Sequence, residues 1–242
     1  MTGVPSRPFS ALGRFLDRPV TAWMVGVFMP VAMLLLDPIV FRGGTLGFGW
    51  PVLARYRTAS YVGIGAAIVA LVIVLTTGRG KALLSGVMAA AAGFGLLLGF
   101  VILPLSLFGM LLLGVGVLGF SPFLAAALFA RWSYRSFRGA DAPRRRSRAL
   151  LGAAAFCALW AGTQVTVSHV LRTSLDAIVL GHPRGSQVAT ERLKRWRPVV
   201  DLGPFITAWL EQDDPDTRRR LVDAYRAITG EDLEAVVSRA MD

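Results

Sequence analysis

The first 171 residues alternate long, uncharged apolar stretches with short basic segments. The longest stretch, residues 82–130, has no charged side chain. As a single helix it would extend for about 74 Å at about 1.5 Å per residue. Because the hydrocarbon core of a bilayer is about 30 Å thick, this stretch predicts two membrane-spanning helices. Pro104 lacks an N–H group and disrupts the preceding helical turn, so we expect the chain to reverse near Leu103 to Ser106.

Three further apolar stretches cover residues 19–36, 58–78 and 149–171, and none of them holds a charged side chain when His169 is taken as neutral. Each has about the length that crosses a bilayer. The hydrophobic fraction of 54% and the mean hydropathy of +0.56 are typical of polytopic membrane proteins. The alternative, a soluble all-helical domain, is disfavoured by the length of the uncharged stretches. The prediction is an all-α membrane protein with about five transmembrane helices, at about residues 19–38, 59–78, 82–103, 106–130 and 149–171.

The distribution of charge predicts how the chain is threaded through the membrane. Residues 1–169 hold 15 basic against three acidic side chains, a net charge of +12, and residues 170–242 hold 11 basic against 12 acidic, a net charge of −1. The basic excess lies between the apolar stretches, which favours membrane orientation over nucleic-acid binding. Placing residues 131–148, with seven arginines, in the cytoplasm puts twelve basic residues on the inner short segments and three on the outer ones. This asymmetry predicts a multi-pass protein of a bacterial inner (cytoplasmic) membrane, with a cytoplasmic N-terminus and a periplasmic or extracellular C-terminal tail.

The apolar stretches offer positions for helix packing but few for chemistry. Gly95 and Gly99 form a GxxxG pattern, which lets two helix backbones approach closely. Gln164 lies on a polar stripe of the fifth stretch, where we expect interhelical hydrogen bonding; a substrate-lining face is the alternative. No Asp, Glu, Lys, Arg or His lies in the middle of a predicted span, whereas ion-driven transporters usually keep such side chains at membrane depth. We therefore predict no catalytic, cofactor-binding or metal-binding residue, no cofactor and no enzymatic activity.

The composition changes after residue 171, which divides the chain into a transmembrane bundle (1–171) and an extramembrane helical tail (172–242). The tail shows three amphipathic patterns in residues 205–240. Asp214 followed by Pro215 is typical of a helix start, and Gly230 of a helix end. Trp209 and Tyr225 are candidates for contact with a partner, because aromatic side chains are frequent at binding hot spots. The alternative for both is a place in the core of the tail.

Two functions remain open from the sequence. The first is a non-enzymatic membrane subunit or scaffold whose tail binds a partner protein or a second copy of the chain. The second is a transporter or permease component that uses the Gln164 stripe. Membrane lipid is an expected partner in either case, and nucleic acid in neither. The missing charges at membrane depth favour the first function.

Overall fold

The computed structural model describes residues 13–32, 51–113, 120–141, 143–197, 200 and 202–241, and these are all-helical with no β-strand among them. The chain divides into two compact units: Met1–Pro38 with Val62–Trp160, and Ile39–Tyr61 with Ala161–Asp242. The all-α prediction is confirmed for the described residues. The helices are α1 (Pro19–Ala32), α2 (Pro51–Thr77), α3 (Lys81–Leu113), α4 (Ser121–Arg138), α5 (Arg145–Leu180), α6 (Pro183–Trp196), α7 (Gly203–Glu211), α8 (Pro215–Thr229) and α9 (Leu233–Met241).

Three of the described helical segments are long and apolar enough to cross a membrane, by length and composition: Thr58–Thr77, Lys81–Phe100 and Arg145–Leu180. The predicted number of five is therefore not supported. The predicted first span corresponds to the shorter apolar helix Pro19–Ala32, and residues 33–38 lie outside the described residues. The predicted fourth span, 106–130, is shared between the end of α3, residues 114–119, which are not described, and the start of α4.

The predicted reversal at Pro104 is wrong, because α3 continues through this residue from Lys81 to Leu113. A proline removes one backbone hydrogen bond, but an apolar helix keeps its remaining bonds internal and tolerates that loss. The α3 and α4 helices run antiparallel, as shown by the 2.7 Å hydrogen bond that Ser133 Oγ donates to the carbonyl oxygen of Ser85 and by the edge-on packing of Phe100 against Phe123. The α4 helix begins at Ser121, and Pro122 occupies its first turn, where no N–H partner is lost.

The first unit has an apolar core between its helices. Leu71 of α2, Met88 of α3 and Leu128 of α4 are completely buried there. At the crossing of α3 and α5 the backbones meet through Gly86 and Gly152. A Cβ atom on Gly86 would overlap the carbonyl oxygen of Ala149, and one on Gly152 would overlap that of Leu83. Only glycine allows this approach, since any side chain would have to occupy the space of the facing backbone.

The segment before α1 is held against α4 by polar contacts. Arg131 donates two hydrogen bonds to the Asp17 carboxylate, of 2.9 and 2.6 Å, and Trp132 Nε1 donates a 3.1 Å bond to the carbonyl oxygen of Leu16. The hydrogen bond from Arg131 holds the pKa of Asp17 below its ordinary value of 3.8. The Asp17 carboxylate is therefore charged in the folded chain at neutral pH.

We expect the Asp17→Asn variant to be less stable than the wild type at pH 7 and equally stable in acid. The folded-state pKa of Asp17 lies below the unfolded one, so the ion pair stabilises the fold fully above pH 3.8 and stops doing so as the pH falls through the lower folded value. The measurement is the Tm of both chains between pH 7 and pH 2. Asp141→Asn, at an exposed position with no ion pair among the described residues, is the control. A difference in Tm that persists unchanged at pH 2 would contradict the role of the ion pair.

The second unit has a core of its own, built from α6 to α9 and the C-terminal part of α5. Leu193, Phe205, Leu221 and Leu233 are completely buried in it, one from each of the four helices. The predicted limits of α8 are confirmed: Asp214 caps it by accepting a 3.0 Å hydrogen bond from the Thr217 N–H. Gly230 ends α8 at φ +80°, a left-handed conformation that favours glycine.

Arg220 connects α8 to the end of α5 within this unit. Its Nη2 atom donates a 3.1 Å hydrogen bond to the carbonyl oxygen of Val179, one of the last four carbonyls of α5, which have no partner inside the helix. The guanidinium lies against Gly181, where a Cβ atom would come within 2.9 Å of Arg220 Cζ. Arg220 thus places a positive charge at the negative end of the α5 dipole.

Candidate functional site

The structure places the predicted helix-packing glycines on the contact between α3 and α4. A Cβ atom on Gly95 would lie 3.3 Å from Ala126 Cβ, and one on Gly99 would lie 2.8 Å from the Phe123 ring. Both neighbours belong to α4, so each glycine faces this helix directly. Gln164 lies apart from them on α5, half-buried, and its Nε2 donates a 3.3 Å hydrogen bond to Ser168 Oγ on the same helix.

Neither aromatic residue that the sequence singles out presents an open surface. Tyr225 is 8% exposed and packs in the core, with its ring 5.9 Å from that of Phe205. Trp209 is half-buried, and the guanidinium of Arg218 lies 5.3 Å from the centre of its ring. The structure therefore places Tyr225 in the core position that was its alternative interpretation, and it places Trp209 beneath an arginine.

A different aromatic residue, Trp196, lines a groove on the surface of the second unit. The groove has a volume of about 480 Å³ and lies along one face of α6. Among the described residues its lining comprises Gln187, Val188, Glu191, Arg192, Arg195 and Trp196. These residues form adjacent pairs that repeat every four positions, so they lie on one side of the helix.

The local sequence explains why this face stays open. Ala189 and Leu193, four residues apart, are buried in the core and fix the orientation of α6. Val188, the neighbour of Ala189, is then directed outward and is 59% exposed. Trp196 packs partly against the core and partly lines the groove. The helix thus presents an apolar strip bordered by charged side chains.

The groove has the chemistry of a protein contact. Arg192 and Arg195 are exposed, and tryptophan and arginine are the side chains most enriched at binding hot spots. Glu191 is the one carboxylate among the described lining residues, so the groove is basic overall. The acidic segment of a protein would complement it.

The sequence did carry a sign of this surface. Ala189, Leu193 and Trp196 recur at i, i+4 and i+7, which is a helical pattern. This helix was not among the three amphipathic helices predicted for residues 205–240. This amphipathic pattern is as clear as that of α8, so α6 could have been predicted from the sequence.

The carboxylates with shifted pKa values in the second unit belong to helix starts and not to a reactive cluster. Hydrogen bonds from Thr217 lower the pKa of Asp214 at the start of α8. The hydrogen bond from Arg226 lowers the pKa of Asp232, just before α9. Within the described part of the chain, no group of three His, Cys, Asp or Glu side chains is arranged to hold a metal ion. The shifted groups therefore have structural partners that explain them.

Comparison with known proteins adds no assignment. No family model, no curated protein and no solved structure matches the chain. The function is therefore argued from the groove, the cores and the charge distribution alone.

Proposed function

We propose that the chain is a non-enzymatic membrane subunit or scaffold whose second unit binds a partner protein through the α6 groove. The partner carries an acidic segment with apolar side chains, which matches Arg192 and Arg195 around Val188 and Trp196. The main support for this proposal is the groove itself, which is basic, lined by a tryptophan and open at the surface. The second unit has a buried core of its own beside it. A second copy of this chain is the other candidate for binding in the groove, and a measurement of mass distinguishes it from a partner protein.

Membrane anchoring is the second part of the proposal. Several large apolar side chains of α3 and α5 are exposed, among them Leu97, Phe100, Leu150 and Leu151, each more than 60%. A soluble protein rarely exposes so many on helices of this length, whereas lipid covers them at no cost. With the positive-inside rule, the seven arginines of residues 131–148 face the cytoplasm of a bacterial cell, and α5 carries the second unit to the periplasmic or outer side.

The transporter alternative has less support. The apolar segments Thr58–Thr77 and Ala82–Phe100 contain no Asp, Glu, Lys, Arg or His, and ion-coupled transport needs such groups at membrane depth. The Nε2 group of Gln164 donates its described hydrogen bond to Ser168 on the same helix, so this donor has a partner within α5.

We expect Arg195→Glu to release the partner and Lys194→Glu to retain it. Both changes reverse one exposed charge on α6, but only Arg195 lines the groove. Reversing a charge that faces an acidic partner replaces an attraction with a repulsion and weakens binding by about tenfold or more. The measurement is quantitative mass spectrometry of proteins that co-purify with each full-length variant in mild detergent, at matched expression.

The same samples are analysed for mass by light scattering, to detect self-association. A partner that is lost with Arg195→Glu and kept with Lys194→Glu supports the proposal. A change from dimer to monomer with Arg195→Glu alone identifies the occupant as a second copy. Equal recovery of every partner and an equal mass for both variants would contradict a binding role for the groove.

A further inference from the structure

A second cavity lies in the first unit, where the end of α2, the start of α3 and the end of α4 meet. It has a volume of about 270 Å³. Val74 and Trp132 form its apolar wall, and Lys81, Arg135 and Ser136 supply its polar wall, with two glycines at the rim. Val74 and Lys81 lie at the ends of the apolar segments Thr58–Thr77 and Lys81–Phe100. The cavity therefore lies at the level where these segments change from apolar to charged.

The side chain of Ser136 indicates that this cavity is a binding site. It is 3% exposed, and its hydroxyl oxygen is buried without a hydrogen-bond partner in the described structure. The serines nearby behave differently: Ser133 donates to the Ser85 carbonyl, and Ser85 donates to the Ala82 carbonyl. A buried hydroxyl without a partner is costly, so its presence on a cavity wall indicates a ligand atom that accepts from it.

Two cations face the same space. Lys81 is half-buried, forms no ion pair among the described residues, and its Nζ would lie 3.9 Å from a Cβ atom on Gly139 at the rim. The guanidinium of Arg135 stacks on Trp132, 5.0 Å from the ring centre, which holds it beside the cavity. No carboxylate is among the described lining residues. An ammonium, a guanidinium and a hydroxyl thus surround one volume.

Two nearby features oppose an anion, and the cations outweigh them. The C-terminal ends of α2 and α4 direct the negative ends of their dipoles toward this region, and the Asp17 backbone carbonyl accepts a long, 3.4 Å bond from Arg135 Nη1. Each helix end carries about half a unit of charge. The positive N-terminus of α3 offsets one of these, and the two full charges of Lys81 and Arg135 exceed the other. The Asp17 carboxylate itself is bound to Arg131.

We propose that this cavity binds a phosphate group, with Lys81, Arg135 and Ser136 as the donors to its oxygens. A phosphate presents several acceptor oxygens, which matches donors that converge from different helices. The source is either the headgroup of an anionic phospholipid or free inorganic phosphate. Basic pockets between membrane helices are a known arrangement for lipid headgroups. The apolar wall of Val74 and Trp132 accommodates the first acyl carbons of a lipid.

The test uses the purified full chain and two probes. Inorganic phosphate is titrated in detergent solution against chloride at matched ionic strength, and binding is measured by the rise in Tm. Nanodiscs of phosphatidylcholine, with or without phosphatidylglycerol, are then compared by native mass spectrometry for retained lipid. We expect Lys81→Gln to weaken binding by about tenfold, since it removes a positive charge, and Ser136→Ala by about threefold, since it removes a hydroxyl donor.

Arg148→Gln is the matched control, because Arg148 is exposed near the start of α5 and does not line the cavity. We expect its phosphate affinity to match the wild type within about twofold, since Arg148 makes no contact with the cavity and its exposed charge is screened by salt. Binding of either probe that is weakened by Lys81→Gln and Ser136→Ala but not by Arg148→Gln supports the site, and the effective probe identifies the source. Equal weakening by Arg148→Gln, unchanged binding by Ser136→Ala and Lys81→Gln, or no binding of either probe to the wild type would overturn the proposal.

Discussion

The Gly86→Ala variant is expected to be destabilised by about 1–3 kcal/mol, the range for overpacking a tight contact. The added methyl group would overlap the carbonyl oxygen of Ala149 and lie 2.8 Å from the Ala153 nitrogen. These are backbone atoms of a helix, so they cannot rotate away as a side chain would. The α3 and α5 helices must separate, and all contacts at their crossing weaken together. The measurement is the thermal unfolding of the purified chain in mild detergent.

The Gly93→Ala variant is expected to be more stable than the wild type. A Cβ atom there meets nothing within 4 Å, and alanine is preferred over glycine inside a helix by about 0.5–1 kcal/mol. Both changes add one methyl group to α3, so helix propensity cannot explain the difference between them. Equal Tm changes for the two variants would contradict the close crossing. The double variant Gly86→Ala, Gly152→Ala should lose less stability than the two single variants lose together. The first substitution already separates α3 and α5, so the second meets less overlap.

The Phe205→Ala variant is expected to unfold the second unit. Phe205 is completely buried in its core, and removing such a ring costs about 3–5 kcal/mol. A domain of this size has a total stability of the same order. Limited proteolysis should therefore cut the variant throughout residues 183–241 while fragments of the first unit persist, since the two cores share no residue.

Leu210→Ala on the same helix is the control for this prediction. Leu210 is 50% exposed, so its truncation removes little buried area and should leave the proteolysis pattern unchanged. If Phe205→Ala resists protease as well as the wild type does, the second unit has no core that depends on this ring. If both variants unfold, the sensitivity belongs to α7 as a whole and not to the buried face.

The ends of a helix could be predicted from the sequence where a single residue determines them. The start of α8 at Asp214 and its end at Gly230 were predictable, because a capping carboxylate and a left-handed glycine act on their own neighbours. The same reasoning failed at Pro104, where the sequence predicts a break and the helix continues. In an apolar segment, no water is present to bind the backbone groups that a break in the helix would expose. The helix therefore continues through Pro104 with one backbone hydrogen bond missing.

The sites depend on pairings that no local pattern contains. Gly86 and Gly152 lie 66 positions apart among 26 glycines of the chain, and only the crossing of α3 and α5 distinguishes them from Gly93 and Gly162. The phosphate cavity brings Val74, Lys81 and Ser136 together from three helices. Tyr225, a candidate for partner contact, lies in the core, because burial follows from packing and aromatic character does not reveal it.

The most direct test of the account is the side of the membrane on which each end of α5 lies. In a Cys157→Ala background, single cysteines are placed at the exposed positions Asp141 and Gln187, and whole cells are treated with a membrane-impermeant maleimide before and after permeabilisation. We expect the cysteine at position 187 to label in intact cells and the cysteine at position 141 to label only after permeabilisation. Labelling of both positions from the same side would contradict this topology, because α5 would then not cross the membrane.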